Sequence, residues 1–180
     1  HMTAIHALAK LCTADVDAKT GSTSLTFKPH KIKGGHLVLD IGTAGSVSLV
    51  FQTLALPAIH AENPLVLEIT GGTHVAWSPT VDHMQKVFCH FMKSMNLDFS
   101  VEIEKYGFYP EGGGQIKGKI NPGEPKTLNL VKRNGIEKIE LVSIASEDLK
   151  KASVAERQVA GTKLEGTKDV KYVASKSTGS

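Results

Sequence analysis

The sequence predicts a mixed α/β fold built from βαβαββ units with mixed sheets, and two observations carry this prediction. Segments in which apolar and polar residues alternate, as in strands, are separated by segments with apolar residues at three- and four-residue spacing, as in amphipathic helices. The resulting order between residues 36 and 120 is strand, helix, strand, helix, strand, strand. Because crossovers between parallel strands run with one hand, this order predicts both helices on one face of the sheet.

The first half of this unit has clear signals. A strand is predicted over residues 36–40, and the glycine-rich turn IGTAGS then opens a long apolar helix over residues 44–60. A second strand, PLVLEIT, is bounded by Pro64 and by two glycines. The IGTAGS turn lacks the spacing of a phosphate-binding loop, so a tight strand-to-helix connection is favoured over an anion site.

The second helix is predicted over residues 81–96, where apolar residues recur at helical spacing. Ser78 is expected to cap this helix, with Pro79 in its first turn. Asp82 lies close enough to the same end to complement the helix dipole.

The last two strands of the unit are predicted over residues 99–105 and 114–120, around the turn YGFYPEGGG. The three glycines at 112–114 are predicted to be turn and bulge residues.

The segments on either side predict incomplete copies of the same unit. Residues 1–35 contain a helix and two short strands, which match the second half of the unit. Residues 136–145 and the helix that follows them match the first part of a third unit, within 121–180. We therefore expect a piece of a longer protein, whose uncovered sheet edges and apolar helix faces lead it to self-associate or to pair with its missing portion.

Composition narrows the class of protein. Of the 180 residues, 41% are hydrophobic, which suffices for a core, and no apolar run reaches the roughly 18 residues that a membrane span requires. Cys12 and Cys89 suggest neither a disulfide framework nor a zinc site, and no signal peptide is visible. These features favour a cytoplasmic protein without a membrane partner. The net charge of +3 is compatible with a polyanionic partner.

Six segments together resemble RNA 3'-terminal phosphate cyclases. In order and spacing they are HMTAIHALAKLC, GSTSLTF, GGHLVLDIGTAGSVSLVFQTLALPA, ITGGTHVAWSPTVDHM, YGFYPEGGGQI and VAERQ. The resemblance covers residues 1–158 and implies three βαβαββ units with a smaller domain inserted in the third. It assigns residues 1–35 to the first unit and 36–120 to the second. Residues 121–180 would then run from the third unit into the start of the inserted domain.

The resemblance also implies a reaction. Such enzymes use ATP and a divalent metal, Mg²⁺ or Mn²⁺, to form an adenylyl-histidine, and then transfer AMP to the 3'-phosphate of an RNA end. The neighbouring 2'-hydroxyl attacks the activated phosphate and leaves a 2',3'-cyclic phosphate, since a phosphate monoester needs a good leaving group. The nucleophilic histidine belongs to a part of the family pattern absent here. None of the eight histidines is assigned that role, and this chain alone is expected to be inactive.

Three residues match the nucleotide pocket of the family. Gln52 is the only large polar side chain in VSLVFQTLALPAI, and its amide can both donate to and accept from the edge of adenine. The flat ring of Pro79 could pack on a base, and His1 could reach a phosphate. Each residue also has a structural interpretation: Gln52 could bond to backbone or face water, Pro79 could simply begin a helix, and His1 could be displaced at the terminus. No metal ligand is assigned.

Three functions stay open at this point. The chain could be part of an ATP-dependent RNA-end cyclase, a non-catalytic relative that acts as a ribosomal-RNA-processing scaffold, or a plain RNA-binding module. Gln52 and the segments that line the pocket favour the cyclase over the scaffold. Trp77, Phe108 and Tyr109 could either stack on RNA bases or pack inside the protein.

Overall fold

The computed structural model describes residues 2–133 and 135–180. Its strands are β1 (Asp15–Asp17), β2 (Thr26–Lys28), β3 (Gly35–Asp40), β4 (Leu65–Gly71), β5 (Phe99–Lys105), β6 (Gly114–Ile120), β7 (Glu140–Ser146) and β8 (Thr167–Val173). Its helices are α1 (Met2–Leu11), α2 (Val47–Ala58), α3 (residues 81–94) and α4 (Val154–Gly161), the last preceded by a 3₁₀ segment at Glu147–Ala152. The predicted mixed α/β fold class is confirmed.

The central sheet contains four strands in the order β3-β4-β6-β5. β3 runs parallel to β4, whereas β6 is antiparallel to both β4 and β5. With α2 between β3 and β4, and α3 between β4 and β5, the chain follows the strand–helix–strand–helix–strand–strand order here. The division of the whole chain into repeated units stays a prediction.

One face of this sheet is apolar and the other is polar. Along β6, Ile116, Gly118 and Ile120 are buried, whereas the intervening lysines are exposed. Helix α2 packs on the apolar face through Phe51, and a Cβ at Gly118 would lie 2.7 Å from its ring. Helix α3 covers the same face, where the Phe88 ring centroid lies 6.1 Å from that of Phe99, the strand neighbour of Ile120. Both helices therefore lie on one face, as predicted.

The remaining elements flank this layer. Ala7 and Leu11 of α1 are buried in the same apolar cluster as α2, and β1 pairs with β2 in a short antiparallel hairpin. β7 and β8 form a separate parallel pair in which Ser143 lies opposite Val170, with α4 as the connection.

The start of α3 corrects one detail of the sequence prediction. The cap is Thr80, whose hydroxyl accepts a hydrogen bond from the His83 N–H at 3.2 Å, and the predicted cap at Ser78 is wrong. Ser78 is unable to fill this role because its hydroxyl donates to the Val75 carbonyl inside the preceding loop. Pro79 consequently precedes the cap instead of occupying the first helical turn.

Helix α3 also changes its pitch along its length. Its α-helical ends, Val81–His83 and Cys89–Ser94, are joined by a π-helical turn at Met84–Phe88. The Cys89 N–H donates to the carbonyl of Met84, five residues earlier. Apolar spacing of three and four residues does not distinguish such a turn from a regular helix.

The glycines before β6 lie in a tight turn, as predicted. Gly112 and Gly113 have φ values of +71° and +66°, which favour glycine, and Gly114 begins β6. The strand irregularity lies in the partner strand, between Ile103 and Lys105 of β5.

Candidate functional site

The loop between β4 and α3, residues 72–80, is anchored by a hydrogen-bonded threonine. The Thr73 N–H donates to the Gly107 carbonyl at 2.9 Å, and the Thr73 hydroxyl accepts from the Gly107 N–H at 3.0 Å. Thr80 fixes the other end of the loop by capping α3. The loop is therefore held to the β5–β6 connection at one end and to a helix at the other.

A histidine–aspartate pair further secures this loop. The His74 Nε2 atom lies 2.8 Å from Asp82 Oδ2, its Nδ1 atom lies 2.9 Å from the Thr73 hydroxyl, and its ring faces Tyr106. The hydrogen bond from His74 lowers the pKa of Asp82, against partial burial, which acts in the opposite direction. Burial raises the pKa of Tyr106, and the charge of Asp82 adds to this effect. Sequence reasoning used Asp82 only as a helix-dipole residue and missed its pairing with His74.

On one side of the loop lies a cleft of about 620 Å³, here named the polar cleft. Its polar lining residues are His74, Thr80, Asp82, Lys86, Glu140, Ser143, Gln158 and Ser180. Lys86 Nζ and Glu140 Oε2 are 4.0 Å apart, and the Ser143 hydroxyl donates to Gln158 Oε1 at 2.6 Å. The polar cleft therefore separates α3 from the β7–α4 region, with most of its charged groups already paired.

On the other side lies a second cleft, of about 560 Å³, here named the aromatic cleft. It is lined by Ser46 and Leu49 at the start of α2, by Trp77 and Ser78 of the loop, and by Tyr109 of the turn before β6. The Trp77 residue is 100% exposed and Tyr109 is 75% exposed, whereas neighbouring Phe108 is only 3% exposed. Of the three aromatic residues considered for RNA stacking, one therefore packs in the protein and two face solvent.

The IGTAGS turn is a tight strand-to-helix connection, and its residues Ala44, Gly45 and Ser46 line the aromatic cleft. The Val47 N–H donates to the Gly72 carbonyl at 3.0 Å, and the Leu49 N–H donates to the Ser46 hydroxyl at 3.2 Å. A Cβ at Gly72 would lie 2.4 Å from the Ala44 carbonyl oxygen, so the two loops touch through their backbones. Because these first-turn N–H groups are already used, the turn offers little to an anion.

A family model described as RNA 3'-terminal phosphate cyclase matches residues 1–161. The chain belongs to the RNA 3'-terminal phosphate cyclase family. It is 39% identical over 145 residues to an RNA 3'-terminal phosphate cyclase of Methanopyrus kandleri, which covers 79% of this chain and 41% of that protein. It is 37% identical over 181 residues to the cyclase of Pyrococcus furiosus, covering 96% and 53% of the two chains. For the cyclase of Halobacterium salinarum the identity is 30% over 192 residues, covering 100% and 57%.

The chain spans about half the length of the curated cyclases it matches. The activity, substrates and partners of those whole proteins are therefore only proposals for this chain.

The structure brings together the segments that carry two of the residues matched to the cyclase pocket. Gln52 is half-buried on α2, one turn after Leu49, and Pro79 is half-buried directly after Ser78. Leu49 and Ser78 line the aromatic cleft, whereas Gln52 and Pro79 are not among the described residues that line it. His1 lies outside the described residues. The role of all three toward a nucleotide stays a prediction.

Metal-binding side chains and thiols are the remaining candidates for chemistry among the described residues. Within residues 2–133 and 135–180, no three side chains of His, Cys, Asp or Glu converge on a position that could hold a metal ion. Both cysteines are buried, and burial raises the pKa of Cys89 to about 11 and also raises the pKa of Cys12. No helix in these ranges is long and apolar enough to cross a membrane.

Proposed function

We propose that this chain provides part of the nucleotide-binding region of an ATP-dependent RNA 3'-terminal phosphate cyclase, which converts an RNA 3'-phosphate into a 2',3'-cyclic phosphate. Membership of the cyclase family through residues 1–161 is the observation that carries the proposal. The half-buried positions of Gln52 on α2 and of Pro79 directly before the cap of α3 are compatible with it. The relatives reported above are named cyclases, which favours this function over a processing scaffold.

In this proposal Gln52 reads the edge of adenine. Gln52 is half-buried on α2, and this position suits the role. An unpaired amide costs more free energy where it is partly shielded from water, so a base with the wrong hydrogen-bonding edge would bind more weakly. Pro79 would pack against the base from the loop, which is held in place by Thr73 and by the His74–Asp82 pair. His1 would approach the phosphates.

The chemical step is proposed to need residues other than those of this chain. ATP would adenylate a histidine that is not among the eight present, with pyrophosphate as the leaving group. AMP would then move from the histidine nitrogen to the RNA 3'-phosphate, and attack by the neighbouring 2'-hydroxyl would release it. The described residues offer no set of three metal ligands, so no step is assigned here to the Mg²⁺ or Mn²⁺ that the family resemblance implies.

The test is Gln52→Leu in a full-length cyclase that contains this sequence. Losing an amide whose partner stays unpaired costs about 1–3 kcal/mol, so adenylation with radiolabelled ATP should fall roughly ten- to a hundredfold. The preference for ATP over GTP should fall with it. The neighbouring Thr53→Val is the matched control and should label normally, since its hydroxyl donates to the Leu49 carbonyl of the same helix. Undiminished labelling and unchanged base preference in Gln52→Leu would contradict the proposal.

We also infer that the isolated chain associates with itself or with the rest of its protein. β3 and β5 form the outer strands of the central sheet, and within the described residues each pairs with a neighbour on one side only. Val38 on β3 and Leu56 on α2 are apolar side chains that are largely exposed. Light scattering should therefore give a mass above that of one chain at high concentration, and a uniform monomer would contradict this inference.

A further inference from the structure

The aromatic cleft has a lining that suits a planar, uncharged ligand. Its two solvent-facing rings, Trp77 and Tyr109, come from different loops and lie beside the apolar side chain of Leu49. A solitary exposed apolar residue needs no explanation, but two exposed aromatic rings that line one cleft form a surface on which a flat ligand can stack. The aromatic lining of the cleft gives it the chemistry of a stacking platform.

Both rings are mounted on loops that are fixed elsewhere. The loop that carries Trp77 is closed by the Ser78–Val75 hydrogen bond at 3.2 Å and anchored through Thr73. The turn that carries Tyr109 is closed by the Gly112 N–H, which donates to the Phe108 carbonyl at 2.8 Å. Ordering these loops would therefore add little to the cost of binding.

The hydrogen-bonding groups of the cleft argue against an anion and against base-specific recognition. The N–H groups of Val47 and Leu49 are bonded within the protein, so two of the N–H groups in the first turn of α2 are not free to bind an anion. The hydroxyls of Ser46 and Ser78 are engaged with backbone groups, so they are poorly placed to read a base edge. A ligand held here would be recognised by its flat face, regardless of which base it carries.

We infer that the aromatic cleft stacks a nucleobase of the single-stranded RNA segment that leads to the 3'-phosphate. This inference rests on the proposed function and names the part of the chain that holds its substrate. ATP must be selected by an edge-reading group such as Gln52, whereas RNA ends of varied sequence need a contact that tolerates every base. The aliphatic stem of the exposed Lys176 lies against Gly113, in the turn that carries Tyr109.

The chain contains one tryptophan, so its fluorescence reports directly on this cleft. Titration with a 3'-phosphorylated single-stranded RNA of about eight nucleotides should quench Trp77 to saturation, with oligo(A) and oligo(U) both effective. Tyr109→Ala should weaken binding roughly 5- to 150-fold, the range expected for one lost stacking contact. The affinity lost in Tyr109→Ala should be similar at low and high salt, because forming a stacking contact releases no counterions.

Two further variants separate stacking from folding. Trp77 has a φ of +65°, which glycine adopts readily, so Trp77→Gly should keep its thermal stability and yet bind labelled RNA more weakly by fluorescence anisotropy. Phe91→Ala removes a partly exposed ring outside the cleft and should bind RNA normally.

Several outcomes would overturn the inference. These are the absence of quenching by single-stranded RNA, unchanged affinity in Tyr109→Ala, or quenching by ATP that competes with RNA, which would make adenine the occupant. Cyclisation by the full-length protein is measured separately. Normal cyclisation kinetics in Trp77→Gly and Tyr109→Ala would refute the stacking site and leave the proposed function intact. Absent cyclisation with saturable, Tyr109-dependent quenching would refute the function and support the site.

Discussion

The central sheet and the β7–β8 sheet both contain a parallel strand pair with a helical crossover, but they differ in what they bury. In the central region, Phe51, Leu67 and Ile116 are at most 1% exposed and belong to one apolar cluster. In the β7–β8 region the fully buried apolar side chains are small, as with Ala145 and Ala155. Because burial stabilises in proportion to apolar area, most of the folding free energy should reside in the central region.

The contacts that hold the C-terminal segments in place are largely polar. The Glu111 N–H donates to the Ser177 hydroxyl at 3.0 Å, the Ser146 N–H donates to the Gly179 carbonyl at 2.8 Å, and Lys86 pairs loosely with Glu140 across the polar cleft. Exposed ion pairs contribute little free energy. The same crossover motif thus forms the main hydrophobic core in the central sheet. In the β7–β8 pair it encloses smaller side chains and is held to the rest of the protein largely by polar contacts.

The largest expected effect comes from emptying the central core. Phe51→Ala should lower the free energy of unfolding by about 3–5 kcal/mol, since it removes a fully buried ring and leaves a cavity over Gly118. Val159→Ala, in α4, should cost only about 1–2 kcal/mol. Denaturant unfolding followed by circular dichroism measures both. Equal losses would remove the proposed difference between the two regions.

Adding a methyl group gives the opposite test of the same comparison. Gly118→Ala should destabilise by about 1–3 kcal/mol, because its Cβ would lie 2.7 Å from the Phe51 ring. Gly161→Ala, at the end of α4, has open space around the new methyl and should stabilise by up to about 1 kcal/mol. Thermal unfolding of the two variants should therefore shift in opposite directions. A shift in the same direction would show that central packing is looser than described.

A smaller effect concerns alkaline pH. Burial raises the pKa of Cys89 from 9.0 to about 11, so the stability that its neutral thiol contributes is present below pH 9.0 and is lost as the pH rises toward 11. The loss should be about 1–2 kcal/mol. In Cys89→Ala the free energy of unfolding should fall less over this pH range than in the unsubstituted chain. Because Tyr106 is present in both proteins, its ionisation does not contribute to the difference between them. Parallel profiles for the two proteins would contradict the expectation.

Much of the fold could be predicted because its strands and helices bury one face each. In β6 the apolar residues alternate with lysines, and in α2 the buried positions recur along one side. The local periodicity therefore predicts which side of each element packs against the core. The cap of α3 was misassigned because Ser78 and Thr80 have equivalent hydroxyls, and only the contact of Ser78 with Val75 separates them.

The arrangement of the site is harder to predict from the sequence than the fold is. Gln52 stood out as a polar residue in an apolar helix, but the pairing of His74 with Asp82 depends on how a loop folds back onto the next helix. Phe108 and Tyr109 are adjacent aromatic residues, and no pattern indicates which of them faces solvent. Such features arise from the meeting of separate loops, and local spacing carries no signal of that meeting.

The π-helical turn at Met84–Phe88 has a consequence for changes in chain length. Since a π turn accommodates an additional residue within a helix, deleting one residue there can restore an α turn and leave Val81 and Cys89 buried in the apolar cluster. In α2, which is α-helical throughout, deleting one residue would rotate every later side chain by about 100° and turn Leu54 away from the core. Of the two helices that cover this sheet, only α3 can therefore absorb a single-residue deletion without changing the side that it presents to the strands.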